Sequence, residues 1–391
     1  MTLAPTTWIQ RQIQRTKTSD AVELEVSNLT RGSSFLYNAQ QSREQQRKQE
    51  DDDQEKTNIT IHEPVVLHRR ELHLGRVLGE GNFAEVVEVT NVKSERMMAA
   101  PAQQQQSKLD PDQPTSIGRP ASSSSKRFVI KQLKRKDKHE DRKYVKAAVD
   151  LVMEAKYLSN LDHPNIIKVR GVSSSWNNNG TTSFILMDRL TETLDQRLLR
   201  WKEDVDETSG KLRRKKRLLE IVNYALQIAD AVQYVHSFRI IIRDLKDSNI
   251  GFLSGPSSPI GGRYSTVQLF DFGLCRELPP IPAHGTGDSE CFIMTMAGSL
   301  RYMAPEIINS RCYGLKADCY SWAILLFQMI TLEKPYGNLY STASVYKRHV
   351  CQDGARPTFP ENGTSTIMPK NLHLLIERAW DHDVMARLSI T

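Results

Sequence analysis

The feature that most limits how this chain can fold is a change of period along it. From residue 71 it reads ELHLGRVLGEGNFAEVVEV, apolar and polar residues alternating on both sides of a glycine-rich turn, and β patterning returns at RFVIKQL, HPNIIKVRGV and SFILMD. One helical stretch interrupts the strands near 142–160, where Val145, Val149, Val152, Met153 and Leu158 fall close to helical spacing. Beyond Leu194 the period lengthens, and in LLEIVNYALQIADAVQYVHS the residues Ile221, Ala225, Ile228, Val232 and Val235 line one stripe of a helix. A period of two asks for a sheet with a buried face, and a period of 3.6 asks for packed helices. Segregated along the chain in this way, they predict an α+β class with a small β-rich part followed by a larger helical one.

Composition marks what lies outside that frame. Residues 1–70 are crowded with Gln, Arg, Ser and acidic side chains, too polar to build a core, and are expected to form a disordered leader. A second polar block, with QQQQ and SSSS runs, is expected as a flexible insertion over 92–126; it costs little because closure entropy grows only logarithmically with length. The folded domain is then 71–391, divided near Asp188 into 71–188 and 189–391.

The formal net charge is +7 and the isoelectric point about 9.0, which permits acidic partners of several kinds and selects none. No nucleic-acid-reading motif accompanies the basic run KLRRKKR at 211–217, so no nucleic-acid partner is expected and the run reads as a solvated approach to the long helix. The longest apolar run, SWAILLFQMI at 321–330, falls short of the roughly 18 residues a membrane span needs and reads as a buried helix. The N-terminal Arg- and Thr-containing stretch meets Asp20, Glu23 and Glu25 too soon for a transit peptide. Five cysteines, at 275, 291, 312, 319 and 351, form no C-x-x-C pair and leave one odd. Neither a zinc site nor a disulfide framework is indicated, and a reducing compartment, cytoplasmic with nuclear access as an option, is the natural reading.

Five short stretches carry the chemistry: GEGNFAEV with Gly79, Gly81 and Val86; FVIK ending in Lys131, with Glu154 on the helix that follows; IIRDLKDSNIGF with Asp244, Lys246 and Asn249; LFDFGLC with Asp271; and GSLRYMAPE closing on Glu306. Singly, each has a plainer reading as a hairpin turn, a surface charge or a solvated loop. In this order and context, residues 72–391 resemble a eukaryotic protein kinase domain of the serine/threonine type, with features of its tyrosine-kinase-like branch.

The resemblance implies a two-lobed fold that binds ATP and Mg²⁺ and phosphorylates serine or threonine hydroxyls of protein substrates. Asp244 would take the hydroxyl proton, Lys246 would neutralise charge at the transferred group, and Lys131, paired with Glu154, would hold the α- and β-phosphates. Asn249 and Asp271 would ligate the metal. Leu78, Gly79, Glu80, Gly81, Val86, Met187, Asp188 and Leu190 would surround the nucleotide, and Met187 would narrow the back of the adenine pocket. Ser299 stands where a hydroxyl can bridge Lys246 and Asp244. Arg387 is the expected partner of Glu306, and Asp318 the expected anchor of the catalytic loop backbone. Thr286, Ser289 and above all Thr295 are candidate acceptors for an upstream activating kinase or for autophosphorylation, with Arg243 as the phosphate's partner.

The chain stops at Thr391, where the family continues into a final helix, so either that helix is absent or the sequence is incomplete. The sequence departs from the family pattern at Ala84 (for the third glycine), Ile242 (for the loop's leading histidine), Asp247 and Leu388 (both for proline). These departures favour an alternative reading, a pseudokinase that binds nucleotide or acts as a scaffold. Every group assigned to the transfer itself is kept, so an active enzyme is the expectation.

Overall fold

A computed structural model describes residues 64–81, 83–93, 97, 128–134, 142–174, 183–204, 210–257, 263–279, 291–337, 342–360 and 368–390. The expected leader up to residue 63 and the core of the expected insertion lie outside the described residues. Two compact units separate: one gathers residues 60–148 and 169–189, the other 149–168 and 190–391. The division near Asp188 thus falls between Arg189 and Leu190, and the segment 149–168 groups with the second unit rather than the first.

The first unit is built on a six-stranded sheet of β1 (Val65–Leu67), β2 (Leu72–Glu80), β3 (Ala84–Val92), β4 (Phe128–Leu133), β5 (Val169–Ser173) and β6 (Phe184–Asp188), in the order β1-β5-β6-β4-β3-β2. All neighbours are antiparallel except β1 and β5, which run parallel with Val65 opposite Gly171 and Leu67 opposite Ser173. Strand β1 corrects the expectation of a disordered leader reaching residue 70. Three apolar residues embedded in polar sequence form a strand because Leu67 is fully buried, in a core with Leu72, Val87, Val89, Ile130, Phe184 and Leu186. Glycine at 171 makes this approach possible, since a Cβ there would lie 2.7 Å from Leu67 Cδ1 and 2.9 Å from the Val65 carbonyl.

Helix α1 (Arg142–Leu158) buries Val149, Val152, Met153 and Leu158, the face its spacing predicts. In the second unit, α2 (Leu194–Glu203), α3 (Lys211–Ser237) and α5 (Lys316–Thr331) form the helical body. The α3 stripe Ile221, Ala225, Ile228, Val232 and Val235 is buried throughout, and in α5 every residue from Ala317 to Ile330 is buried. Among the described residues no helix is long and apolar enough to cross a membrane.

Short strands hold the loops of this unit. Strand β7 (Glu192–Thr193) pairs with β9 (Ile250–Ser257), which pairs with β10 (Arg263–Leu269); β8 (Ile240–Ile241) pairs with β11 (Arg276–Glu277). Helices α4 (Pro305–Ile308), α6 (Ala343–Lys347) and α7 (Lys370–Ala379) complete it. One reading from composition is overturned: Cys291 and Cys312 are joined in a disulfide with their Cα atoms 5.0 Å apart, while Cys275, Cys319 and Cys351 are free and buried. Spacing could not reveal this pair, because the chain travels 21 residues before returning beside Cys291.

Candidate active site

The residues that the sequence singled out fall in both units. In the first, Gly79 and Glu80 end β2, and Val86 lies on β3 opposite Gly79. The turn closes through the Gly81 N–H donating to the Ala84 carbonyl at 2.7 Å. Ala84 opens β3 and is not among the residues with positive φ, so its methyl group meets none of the backbone strain that would favour a third glycine. Leu78 is exposed, and the Glu80 carboxylate pairs with Lys134 at 2.8 Å.

Lys131 sits mid-strand on β4, opposite Val86 on one side and Ile185 on the other. Met187 is buried on β6. The next residue, Asp188, is bound bidentately by Arg170, Nε to Oδ1 at 2.8 Å and Nη2 to Oδ2 at 2.6 Å. That commitment leaves the backbone, rather than the carboxylate, as the part of Asp188 suited to reading a base.

In the second unit the loop from Ile242 to Asn249 is held from below. Asp318, fully buried at the start of α5, accepts the Ile242 N–H through Oδ2 at 2.8 Å and the Arg243 N–H through Oδ1 at 2.9 Å. His236 Nε2 lies 2.9 Å from the same Oδ2. The sequence reading missed His236, although the signal was there: it lies four residues after Val232, on the buried stripe of α3. Ile242 is itself buried, as is Phe272. What its side chain cannot offer in hydrogen bonds, Asp318 supplies through the backbone.

Arg243 adopts φ +69, and Gly298 packs on it so closely that a Cβ at 298 would come within 2.2 Å of the Arg243 carbonyl. The Arg243 side chain donates from Nε to the Leu274 carbonyl at 2.6 Å and from Nη1 to the Tyr313 hydroxyl at 3.3 Å. Tyr313 in turn donates to the Thr295 carbonyl at 2.7 Å. Thr295 is exposed; Thr286 and Ser289 lie outside the described residues.

Above this support stands a polar cluster. Lys246 Nζ donates to Asp244 Oδ2 at 2.8 Å and to Ser299 Oγ at 3.0 Å, so the serine reaches the lysine as expected. Asn249 Nδ2 donates to the Asp244 carbonyl at 3.0 Å and to its Oδ2 at 3.1 Å. The other oxygen, Asp244 Oδ1, is buried and has no hydrogen-bond partner among the described residues. An unsatisfied buried carboxylate oxygen is costly, so its presence in a satisfied loop points to a ligand group that completes it.

Asp247, one of the departures noted in the sequence, is tied into the fold. It accepts from its neighbour Ser248 N–H at 2.8 Å and from Gln328 Nε2 at 2.8 Å, and Gln328 Oε1 accepts from Tyr302 at 2.6 Å. Burial, reinforced by the Asp247 charge, pushes the Tyr302 hydroxyl well above its usual range and keeps it a donor.

Asp271 adopts φ +66, a left-handed conformation uncommon outside glycine, and Gly273 two residues on runs within 3.3 Å, measured from a built Cβ, of the Asp150 carbonyl. Leu190 packs on Gly251, where a Cβ would come 2.3 Å from Leu190 Cδ1. Glu154 is buried on α1. Asn249 and Asp271 bring oxygen donors of the class a hard divalent cation takes, so the residues fit such an ion. Glu306 and Arg387 form the expected pair, bidentate and buried, at 2.6 and 3.0 Å.

Known proteins similar to this chain share the family that its motifs resemble. The sequence profile described as "Protein kinase domain" matches residues 116–391. Serine/threonine-protein kinase VIK of Arabidopsis thaliana is 35% identical over 173 residues, covering 43% of this chain and 35% of that protein. Serine/threonine-protein kinase STY46 of the same plant is 33% identical over 172 residues, 44% of this chain and 25% of that protein. Leucine-rich repeat serine/threonine-protein kinase 1 of Caenorhabditis elegans is 28% identical over 325 residues, 82% of this chain but 12% of that protein. The chain thus spans about a third or less of the length of these relatives.

Proposed function

The chain belongs to the protein kinase family, and from that premise we propose that it transfers the γ-phosphoryl group of ATP to serine or threonine hydroxyls of protein substrates in signalling. One observation carries the reading. Asp244 is fixed through Oδ2 by Lys246 and Asn249 while its Oδ1 stays buried with no partner among the described residues, the disposition of a base waiting for a hydroxyl proton.

In this reading Asp244 Oδ1 orients the acceptor hydroxyl and takes its proton as the bond to phosphorus forms. Lys246, already shared between Asp244 and Ser299, neutralises charge on the transferred group. The Gly79–Gly81 turn, Lys131 and Glu154 serve the triphosphate, and Leu78, Val86, Met187 and Leu190 the base. Asn249 and Asp271 would hold the divalent cation, for which we propose Mg²⁺; when bound, it screens the phosphate oxygens and orients them for in-line displacement. Ile242 is assigned no chemical role, and its loop is anchored through the backbone by Asp318 whatever its side chain.

The test is transfer of γ-phosphate from Mg-ATP to a generic serine/threonine acceptor, with Asp244→Asn as the control. Loss of activity on the order of 10²–10⁴-fold with ATP binding retained is the expected result. A folded chain that binds ATP and transfers nothing before substitution would overturn the reading in favour of a scaffold. We further propose Thr295 as a phosphate acceptor, for another kinase or for the chain itself, on its exposure and its place between Arg243 and Ser299. Mass spectrometry of the purified chain before and after incubation with ATP tests it.

A further inference from the structure

The mechanism uses neither Cys291 nor Cys312, yet the pair sits where it can govern the segment that completes the site. Both residues are exposed, and their disulfide lies beside an antiparallel bridge in which Phe292 and Tyr313 exchange N–H···O bonds of 3.0 and 3.1 Å. Tyr313 carries the hydroxyl that holds the Thr295 carbonyl and receives Arg243. Four residues after Thr295 comes Ser299, bound by Lys246. The covalent link therefore closes the loop 291–312, which holds Phe292, Thr295 and Ser299, and ends one residue before Tyr313, the partner of the first two.

Access and selectivity both favour chemistry at this pair. A cavity of about 800 Å³ is lined by both cysteines together with three cations, Arg239, Arg311 and Lys316, and two carboxylates, Glu306 and Asp383. Arg311, adjacent to Cys312 in sequence, puts a cation on the lining that an anionic oxidant would meet. The other three thiols are buried and held protonated by that burial, Cys319 being pushed up to about 12 although it lines the same cavity.

We propose that Cys291 and Cys312 form a reversible redox-modification site, oxidised by a small anionic disulfide of the glutathione class, whose closure orders the 291–299 segment and whose opening loosens it. One protein thiolate attacks the small disulfide, breaking its S–S bond, releasing one small thiolate and leaving a mixed disulfide. The second protein thiolate then attacks the protein sulfur of that mixed disulfide and expels the second small thiolate. One S–S bond forms in the protein as one is lost from the oxidant; two electrons leave the protein pair, and its two protons pass to the released thiolates. The effect on catalysis rests on the kinase reading above, whereas the covalent chemistry and the ordering do not.

The full chain is equilibrated at a series of reduced-to-oxidised glutathione ratios, trapped by alkylation, and divided between non-reducing peptide mass spectrometry, amide hydrogen exchange and phosphoryl transfer. The linked Cys291–Cys312 peptide should titrate reversibly with the ratio, exchange across 291–299 should slow on closure, and transfer should be about threefold or more faster in the closed form. Cys291→Ser should abolish all three responses, and Cys319→Ser should keep them. A link that never forms, a link that stays closed at every ratio, unchanged exchange on closure, or measurable transfer that is equal in both forms would each overturn the proposal. Absence of transfer in both forms, with the titration and the exchange difference intact, would remove the kinase reading and leave the redox site standing.

Discussion

Gly298 is the residue with least freedom to change. Its φ of +113 is one that side-chain-bearing residues rarely adopt, and a Cβ would meet the Arg243 carbonyl at 2.2 Å, backbone against backbone with no flexible end to yield. Gly298→Ala should cost about 1–3 kcal/mol in urea unfolding and reduce transfer by displacing Ser299 from Lys246. Gly79→Ala, where a Cβ meets nothing within 4 Å, should stay within about 0.5 kcal/mol of the native chain. Lys156 poses the opposite case, a side chain the fold tolerates at a cost. Burial lowers its pKa to about 8, against the pull of Glu277. Between pH 8 and its ordinary value near 10.5 the unfolded chain binds the extra proton, so that contribution to stability rises with pH across that window; below pH 8 the penalty is present in full. Lys156→Met should therefore be more stable than the native chain at pH 7, by about 1–3 kcal/mol, and the gap should shrink as pH climbs past 8. Parallel denaturant titrations of both chains at several pH values check this. A single letter in the sequence announced neither residue: Gly298 is fixed by a carbonyl 55 positions away in the chain's numbering and Lys156 by burial that its own polarity argues against.

At the scale of elements, strand β1 shows what periodicity can and cannot reveal. Val65–Leu67 is too short to display a period of two, and its neighbours are polar, so it reads as the tail of a leader until its partner is known. The partner is β5, and the reason the two can run side by side is Gly171. Gly171→Ala should cost about 1–3 kcal/mol by overpacking against Leu67 Cδ1 and the Val65 carbonyl, and Leu67→Ala about 2–5 kcal/mol by leaving a cavity in the core. The two should not add, because both act through one contact; thermal unfolding of the single and double variants measures the shortfall. Long elements were legible where short ones were not. The α3 stripe and the buried run of α5 carry enough turns for their burial to be read directly, and the turn around Gly79 and Gly81 was recognised from its alternating flanks. Of the candidate site, the residue types and order were legible through the family resemblance, which the run from Asp244 to Asn249 carries together with the other motifs in order. The supports were not, because His236, Gln328 and Tyr302 act through contacts across 82, 81 and 26 residues of chain.

Over the whole molecule, what separates a chain with the right residues from one that holds them is a few long-range polar contacts inside an apolar body. The disulfide escaped a reading based on spacing for this reason, and Glu306 with Arg387 illustrates the same reach with a different outcome. The two lie 81 residues apart, yet a resemblance that matched both ends of the segment foretold their pairing. Arg387 is among the most deeply buried side chains, donating to both Glu306 oxygens, to the Asp381 carbonyl at 3.0 Å and to the Lys316 carbonyl at 3.2 Å, with its guanidinium 5.2 Å from the Tyr320 ring centroid. Two charges taken from water cost much of what their attraction returns, so the net worth of such a pair is small while the loss of one member is not. Arg387→Ala should therefore destabilise the second unit by about 3–5 kcal/mol, because Glu306 is left buried with its charge uncompensated. Glu306→Gln also leaves a charge uncompensated, that of the Arg387 guanidinium, but should cost less because the amide oxygen keeps one acceptor for it. Combining Arg387→Met with Glu306→Gln should recover part of the single Arg387→Ala loss, as neither position then holds an unpaired charge. Denaturant midpoints for the three variants decide the matter: if the combined variant is less stable than Arg387→Ala alone, the orphaned Glu306 carboxylate is not what makes the loss of Arg387 costly.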